Sequence, residues 1–278
     1  MSKIKLAGSR IAPAVLVLLS FIAVVTVNAL ANILPLNGVN TGVLSDEIPN
    51  LFVPAGLTFS VWGLIYLLLA LYSGTVLFRA TKHKGADALW EPKDGWIFIV
   101  NAAANIGWIF SWHWRLIPLS LALMLVILVT LIMLEERNSR RSLKEDKNPT
   151  VLEGFHRFAL RTPINVYLGW ISVATIANVT ALLVKLGWNG FGLPETFWAV
   201  VVILAGLLVA LGLVFRRNAV AAPLVVIWAY AGIAIKRIPL DGGSTQSVWI
   251  SALVAAGLIA AGILLKRLVP GLRKTSAR

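Results

Sequence analysis

"IPNLFVPAGLTFSVWGLIYLLLALYSGTVLF", residues 48–78, opens beside two prolines and runs into an apolar stretch long enough to cross a membrane. Lipid would be satisfied by Leu or Val, so Trp62 and Tyr66, one helical turn apart behind a proline-bracketed loop, ask for a further reason. Similar apolar runs recur on both sides of this stretch. Of the 278 residues, 58% are hydrophobic and 13% charged, with a mean hydropathy of +0.83. An ordinary soluble domain carries about 25% charged residues and shorter apolar runs. Eight stretches are expected to span: about 11–34, 57–79, 95–113, 116–134, 163–185, 196–214, 219–235 and 248–265. A spanning helix needs roughly 20 apolar residues for a ~30 Å hydrocarbon layer. The seventh, "AVAAPLVVIWAYAGIAI", has 17 residues and contains Pro223, which makes it the least secure. At 1.5 Å per residue it reaches only about 26 Å. The sequence predicts an all-α fold, a polytopic membrane bundle of about eight transmembrane helices.

The charges fit that reading. Cysteine is absent, which excludes disulfides and thiolate metal sites. A net charge of +13 would suggest nucleic acid only if the basic residues formed a stripe on a folded surface. Instead they lie in short segments between apolar runs. With eight spans, 21 of the 25 Lys and Arg fall on one side: the N-terminus, the 79–94 and 135–162 loops, Arg216 with Arg217, and the tail from Lys266. Arg115, Lys185, Lys236 and Arg237 fall on the other. The positive-inside rule therefore puts both termini in the cytoplasm and the 35–56 loop outside, with the plasma membrane as the expected location. The first span has a rival reading. Three basic residues, an apolar run and "ALA" at 29–31 resemble a signal peptide and its cleavage site, although the run exceeds the usual core length.

Two connections are long. In the second part of the cytoplasmic 135–162 segment, Val151, Leu152, Phe155, Phe158 and Ala159 recur at helical spacing. A short helix in the headgroup layer, with Arg157 and Arg161 near anionic lipid, fits this pattern as well as a solvated linker does. The external segment "PLNGVNTGVLSDEIPNLFVPAG", 35–56, is too rich in Pro, Gly and Asn for a long helix. Its Pro49, Phe52 and Pro54 are candidates for a lid, against the plainer alternative of an ordinary loop.

Most of the eleven tryptophans lie near span ends, where an interfacial aromatic belt accounts for Trp90, Trp96, Trp112, Trp114, Trp188, Trp198 and Trp249. Trp62, Trp108, Trp170 and Trp228 lie deeper, where an indole N–H needs an acceptor. "NAAANIGW" puts Asn101, Asn105 and Trp108 on one helix face, and "YLGWISVATIAN" aligns Tyr167, Trp170, Ala174 and Asn178. Asparagine in hydrocarbon is costly without a partner. Interhelical hydrogen bonding, worth about 0.6–2 kcal/mol, is one explanation, and a lined pocket is the other.

At these residues the chain resembles the translocator protein family, the tryptophan-rich sensory proteins or peripheral benzodiazepine receptors. "FVPAGLTFSVWGLIYLLLA", then "NAAANIGWIF", then the Trp170–Ala174–Asn178 row occur in the family's order, over about residues 11–185. Departures are Pro54–Ala55 where the family has a double proline, the missing Lys-Pro before it, and Pro163 seven residues before Trp170 rather than a Pro-Tyr four before. The resemblance implies a five-helix bundle over 1–190, with three added spans and a basic tail over 191–278. It also implies a pocket for apolar ligands and tetrapyrroles beneath the loop joining the first two helices. Trp62, Tyr66, Asn101, Asn105, Trp108, Tyr167, Trp170 and Asn178 would line it, with an asparagine bonding the polar edge of a flat macrocycle.

No catalytic residue and no metal site is expected. His83, His113 and His156 lie in or next to loops, unpaired and at no metal-ligand spacing, and no span carries a carboxylate for a proton relay. The resemblance implies a ligand-binding or sensory membrane protein, and with no catalytic constellation in the sequence an enzyme is not expected. No cofactor is expected, a tetrapyrrole entering only as ligand. The expected partners are the bilayer and an apolar small molecule, without nucleic acid, and a homodimer is left open. A permease, argued from eight spans and Pro223, and a scaffold subunit whose aromatics only pack remain as alternatives.

Overall fold

The computed structural model describes residues 2–34, 36–82, 87, 89–142, 150–217, 219–240 and 243–269. His83, the charged stretch 143–149 and the tail after Val269 lie outside the described residues. The described helices are α1 (Ser2–Ile33), α2 (Thr41–Glu47), α3 (Val61–Lys82), α4 (Pro92–His113), α5 (Ile117–Ser142), α6 (Val151–Lys185), α7 (Glu195–Arg217), α8 (Ala221–Arg237) and α9 (Gln246–Leu268), with no strand among the described residues. All but α2 and α8 are long and apolar enough to cross a membrane, which makes seven. Outward-facing Leu67 and Leu208 are about 70% exposed, as lipid-facing side chains are. The chain is a polytopic all-α membrane protein.

The 17-residue α8 is the segment that the sequence marked as short. It nevertheless runs between the two ends of the bundle. Its first residues share a cavity wall with Arg217 and Asn165, and its last, Arg237, reaches the backbone of residues 50–53.

Two departures from the expected elements come from helix continuation. The 151–162 segment is neither a separate headgroup helix nor a linker. It is the start of α6, 35 residues long, capped by reciprocal bonds between Thr150 and Glu153 and continuous through Pro163. At 1.5 Å per residue it extends about 52 Å, well beyond the hydrocarbon layer. The helices α4 and α5 likewise run past the apolar stretches, so the buried Asp94 and Glu135 sit on helices just beyond the expected spans.

Packing order builds the site. The helix α1 packs on α3 and α4, α3 on α6, α4 on α5, and α5 on α6, closing a five-helix ring in the order α1–α3–α6–α5–α4. The helices α7, α8 and α9 pack on one another and join the ring chiefly where α8 meets α6. Gly169 makes that junction close, because a Cβ there would overlap the Ala222 backbone. Small residues at such crossings let backbones approach and gain dispersion contacts that lipid cannot supply.

Ion pairs among the described residues gather at the two ends of the bundle. At one, Arg137 and Arg141 pair with Glu91 and Asp94, Arg217 pairs with Glu136, and Arg79 pairs with Asp87 at 2.6 Å. At the other, Arg115 pairs with Glu47, Lys236 pairs with Asp46, and Lys185 donates to the Arg115 carbonyl.

Candidate ligand site

The segment from Leu36 to Ser60 forms a strap across one end of the ring. It contains α2 and two short 3-10 turns, Leu36–Gly38 and Gly56–Ser60. Proline and glycine prevent a continuous helix, and side chains supply what the backbone lacks. The Asn50 side chain accepts from the N–H groups of Phe52 and Val53, an Asx turn that bends the chain between Pro49 and Pro54.

Helix α8 holds the strap. The Arg237 guanidinium, on a residue only 6% exposed, donates to the carbonyls of Asn50 (2.7 Å), Leu51 (3.1 Å) and Val53 (3.3 Å). The Ala55 N–H donates to the Gly232 carbonyl at 3.0 Å, and the Trp228 indole donates to the Thr58 carbonyl at 3.0 Å. Gly232 is where strap and helix touch, since a Cβ there would overlap the Thr58 side chain. On the ring side, His113 Nδ1 lies 2.9 Å from the Leu36 carbonyl and therefore carries the proton, leaving Nε2 to accept from the Thr41 hydroxyl at 3.0 Å. His113 is buried and its role is to anchor the strap. His156 is also paired, with Arg79 at 2.9 Å. Reading the histidines as unpaired was therefore wrong for these two, because their partners come from distant parts of the chain.

Beneath the strap lies the aromatic cluster, with Trp62 at its centre. Trp62 stacks on Tyr66 (centroids 5.5 Å apart) and Trp108 (6.3 Å), and meets Tyr167 (5.7 Å) and Trp170 (6.3 Å) edge-on. Trp112 continues the stack from Trp108 at 6.2 Å, and Phe59 meets Trp170 at 5.6 Å. Such pairs gain about 0.5–1.5 kcal/mol beyond area burial. The rings leave little space. A cavity of about 40 Å³ is bounded by Pro54, Trp62, Trp108, Trp112, Trp170 and Asn178 among others, and a void of about 10 Å³ lies by Tyr66 and Tyr167.

The asparagines divide between two roles. Asn105 bridges three helices: its side-chain oxygen accepts from Asn28 on α1 at 3.0 Å, and its amide donates to the Tyr167 hydroxyl on α6 at 2.7 Å. Asn101 borders the small void, yet its amide donates to Thr130 Oγ1 (2.8 Å) and the Ile127 carbonyl (3.1 Å) on α5. Asn178 lines the cavity and accepts from Ser120 Oγ at 2.7 Å and from the Trp108 indole at 3.4 Å. Trp170 differs from all of these. It is 3% exposed, it lines the cavity, and its indole nitrogen has no hydrogen-bond partner.

All eight residues singled out from the sequence thus meet inside the ring, though Asn101 turns its amide to α5. Of the three lid residues, Pro54 faces the aromatic cavity. Pro49 and Phe52 line a larger one of about 540 Å³, outside the ring between the strap, the end of α6 and the start of α7. Sequence reasoning missed Asn28, Phe59 and Trp112. The i, i+4, i+7 row of Asn101, Asn105 and Trp108 extends naturally to Trp112 at i+11, and Asn28 stands out as a polar residue in an apolar span.

A family model described as TSPO-like protein matches residues 14–265. The match continues through α7, α8 and α9, past the point near residue 185 where the motif resemblance stops. No curated protein and no solved structure matches the chain.

Proposed function

The chain belongs to the TSPO-like protein family, and from that premise we propose that it is a membrane ligand-binding protein of the sensory, translocator type. It takes a flat, largely apolar ligand such as a tetrapyrrole into the aromatic cluster of the five-helix ring. One observation carries this reading: the Trp170 indole N–H is buried, unpaired and set in the wall of a cavity built from four tryptophans. A donor left unbonded in an apolar interior costs about 1–3 kcal/mol, a cost that a ligand acceptor removes. The lining is largely aromatic and apolar with a few uncharged polar groups, as sites that bind apolar ligands are.

The space available sets a condition. Sites for molecules of this size measure roughly 300–1,000 Å³, whereas the cavity is about 40 Å³. Entry therefore requires the strap to lift and the half-buried Trp62 to swing aside. In this reading the 1–190 ring binds ligand, and the segment after it, which the family match also covers, supplies the clamp on the strap through α8. The excess of basic residues at the opposite end orients the strap toward the outside of the plasma membrane, with both termini cytoplasmic.

Quenching of tryptophan fluorescence by protoporphyrin IX in detergent-solubilised protein tests the proposal. Trp62→Leu should weaken binding about two- to twelve-fold through lost stacking, Trp170→Leu by at least as much again because it also loses the buried donor, whereas Trp249→Leu on α9 should not. Trp170→Phe keeps a ring and loses only the donor, so it forgoes the roughly 1–3 kcal/mol that satisfying this N–H returns and should cost about five- to 150-fold. Equal affinities across all four variants would leave the aromatics as packing alone.

A further inference from the structure

The 540 Å³ cavity outside the ring has a composition unlike that of the aromatic site. Its walls are mostly apolar (Phe52, Leu183, Leu193, Val202 and others) with Asn50, Thr180 and Asn189 among them, and two indoles, Trp188 and Trp198, stand in it with centroids 4.8 Å apart. The Trp198 N–H is committed to the Gly190 carbonyl at 2.9 Å, so this indole offers the cavity its ring and no donor. Glu195, exposed at the start of α7, is the one ionisable residue among the described residues of the wall. The nearby Arg237 guanidinium feels the Glu195 charge, but its donors are directed to the strap carbonyls of residues 50, 51 and 53.

A carboxylate and two indole rings lining one groove, whose described wall residues include no cation, are complementary to an ammonium head on an apolar tail. Indole faces attract such cations through the ring quadrupole, most strongly where water is excluded. The neighbouring surface carries exposed Phe191, Phe197 and Leu186, as expected at the membrane interface, where an amphiphile would present its head at this depth. We infer that this groove is a second binding site, specific for an alkylammonium amphiphile. The ammonium would lie against Glu195, Trp188 and Trp198, and the tail along Leu183, Leu193 and Val202. Pro49 and Phe52 form part of its wall and Pro54 part of the aromatic cavity, so the two sites share the strap as a partition.

The test uses the full-length protein and a brominated alkyltrimethylammonium, which quenches nearby indoles, added below its micelle concentration to protein in maltoside detergent. Saturable quenching is expected, reversed by the unbrominated compound. A brominated alkyl maltoside of equal chain length should bind at least about fivefold more weakly. Glu195→Gln retains every tryptophan and should weaken the cation about five- to tenfold while leaving the neutral amphiphile unchanged. A parallel arm in nanodiscs compares brominated phosphatidylethanolamine with brominated phosphatidylglycerol. Preferential quenching by the ethanolamine lipid identifies a lipid headgroup as the natural source. Equal quenching there, with saturable binding of the soluble cation, identifies a free amphiphile. Equal affinity for charged and neutral amphiphiles, or an unaltered Glu195→Gln, overturns the inference. Porphyrin affinity does not enter this readout, so the result stands apart from that of the aromatic site.

Discussion

Replacing Arg237 by methionine should release the strap and let ligand reach the aromatic cluster faster. Methionine keeps the apolar stem and removes the guanidinium that donates to the carbonyls of Asn50, Leu51 and Val53. Hydrogen bonds to a charged group are worth about 1.5–3 kcal/mol net. Taking about 2 kcal/mol for the whole cluster, since one guanidinium serves all three acceptors, the closed strap loses roughly 30-fold in its equilibrium with the open one. A ligand that must wait for opening associates in proportion to the open fraction, so the rate should rise by a similar factor until the strap is mostly open. Stopped-flow quenching by protoporphyrin IX measures this directly. Arg115→Met is the control. It breaks the pair with Glu47, whose side chains are 47% and 41% exposed, and exposed pairs contribute only about 0–1 kcal/mol. Its effect should stay below about fivefold. If Arg237→Met associates at the wild-type rate while the control behaves as expected, the strap is not the gate, and the clamp serves stability alone.

Asn105→Leu removes both links among α1, α4 and α6, leaving the Tyr167 hydroxyl without its donor and the Asn28 amide with only the Val24 carbonyl. Thermal melting in detergent should show a loss of about 1–2 kcal/mol, with porphyrin affinity following stability and no separate ligand-specific drop. A drop in affinity in a variant with undiminished stability would instead make Asn105 a ligand contact. Orientation is checked with fused topology reporters: one near Asp46 should read external, and those after Arg140 and at the C-terminus cytoplasmic. A C-terminal reporter outside would mean that α8 does not cross.

The class of fold and most of the cluster's membership follow from the sequence alone. Apolar runs of spanning length leave a backbone in lipid no alternative to helix, because every N–H and C=O must be bonded within the segment. Helical periodicity then sorted Asn105, Trp108, Tyr167, Trp170 and Asn178 onto inward faces without reference to any neighbour. The length of α6 was misread at 151–162 because exposed apolar residues at helical spacing look alike on a headgroup helix and on the extension of a span. Tertiary structure decided what each polar atom bonds to. Asn101 and Asn105 stand on the same stripe, yet one serves α5 and the other links α1 to α6, a distinction set by the ring order and invisible to spacing. It also decided how much room the cluster leaves, since stacked indoles fill most of the volume that their presence suggests. Above all it gave the short α8 a place. A 17-residue segment with a proline looked like the weakest span, but Gly169 lets it press against α6, and Gly232 lets the strap lie flush on it. Its terminal Arg237 finds three backbone carbonyls almost two hundred residues away in the chain. Contacts of that separation depend on where helices pack, and the pattern within any one helix carries no record of them.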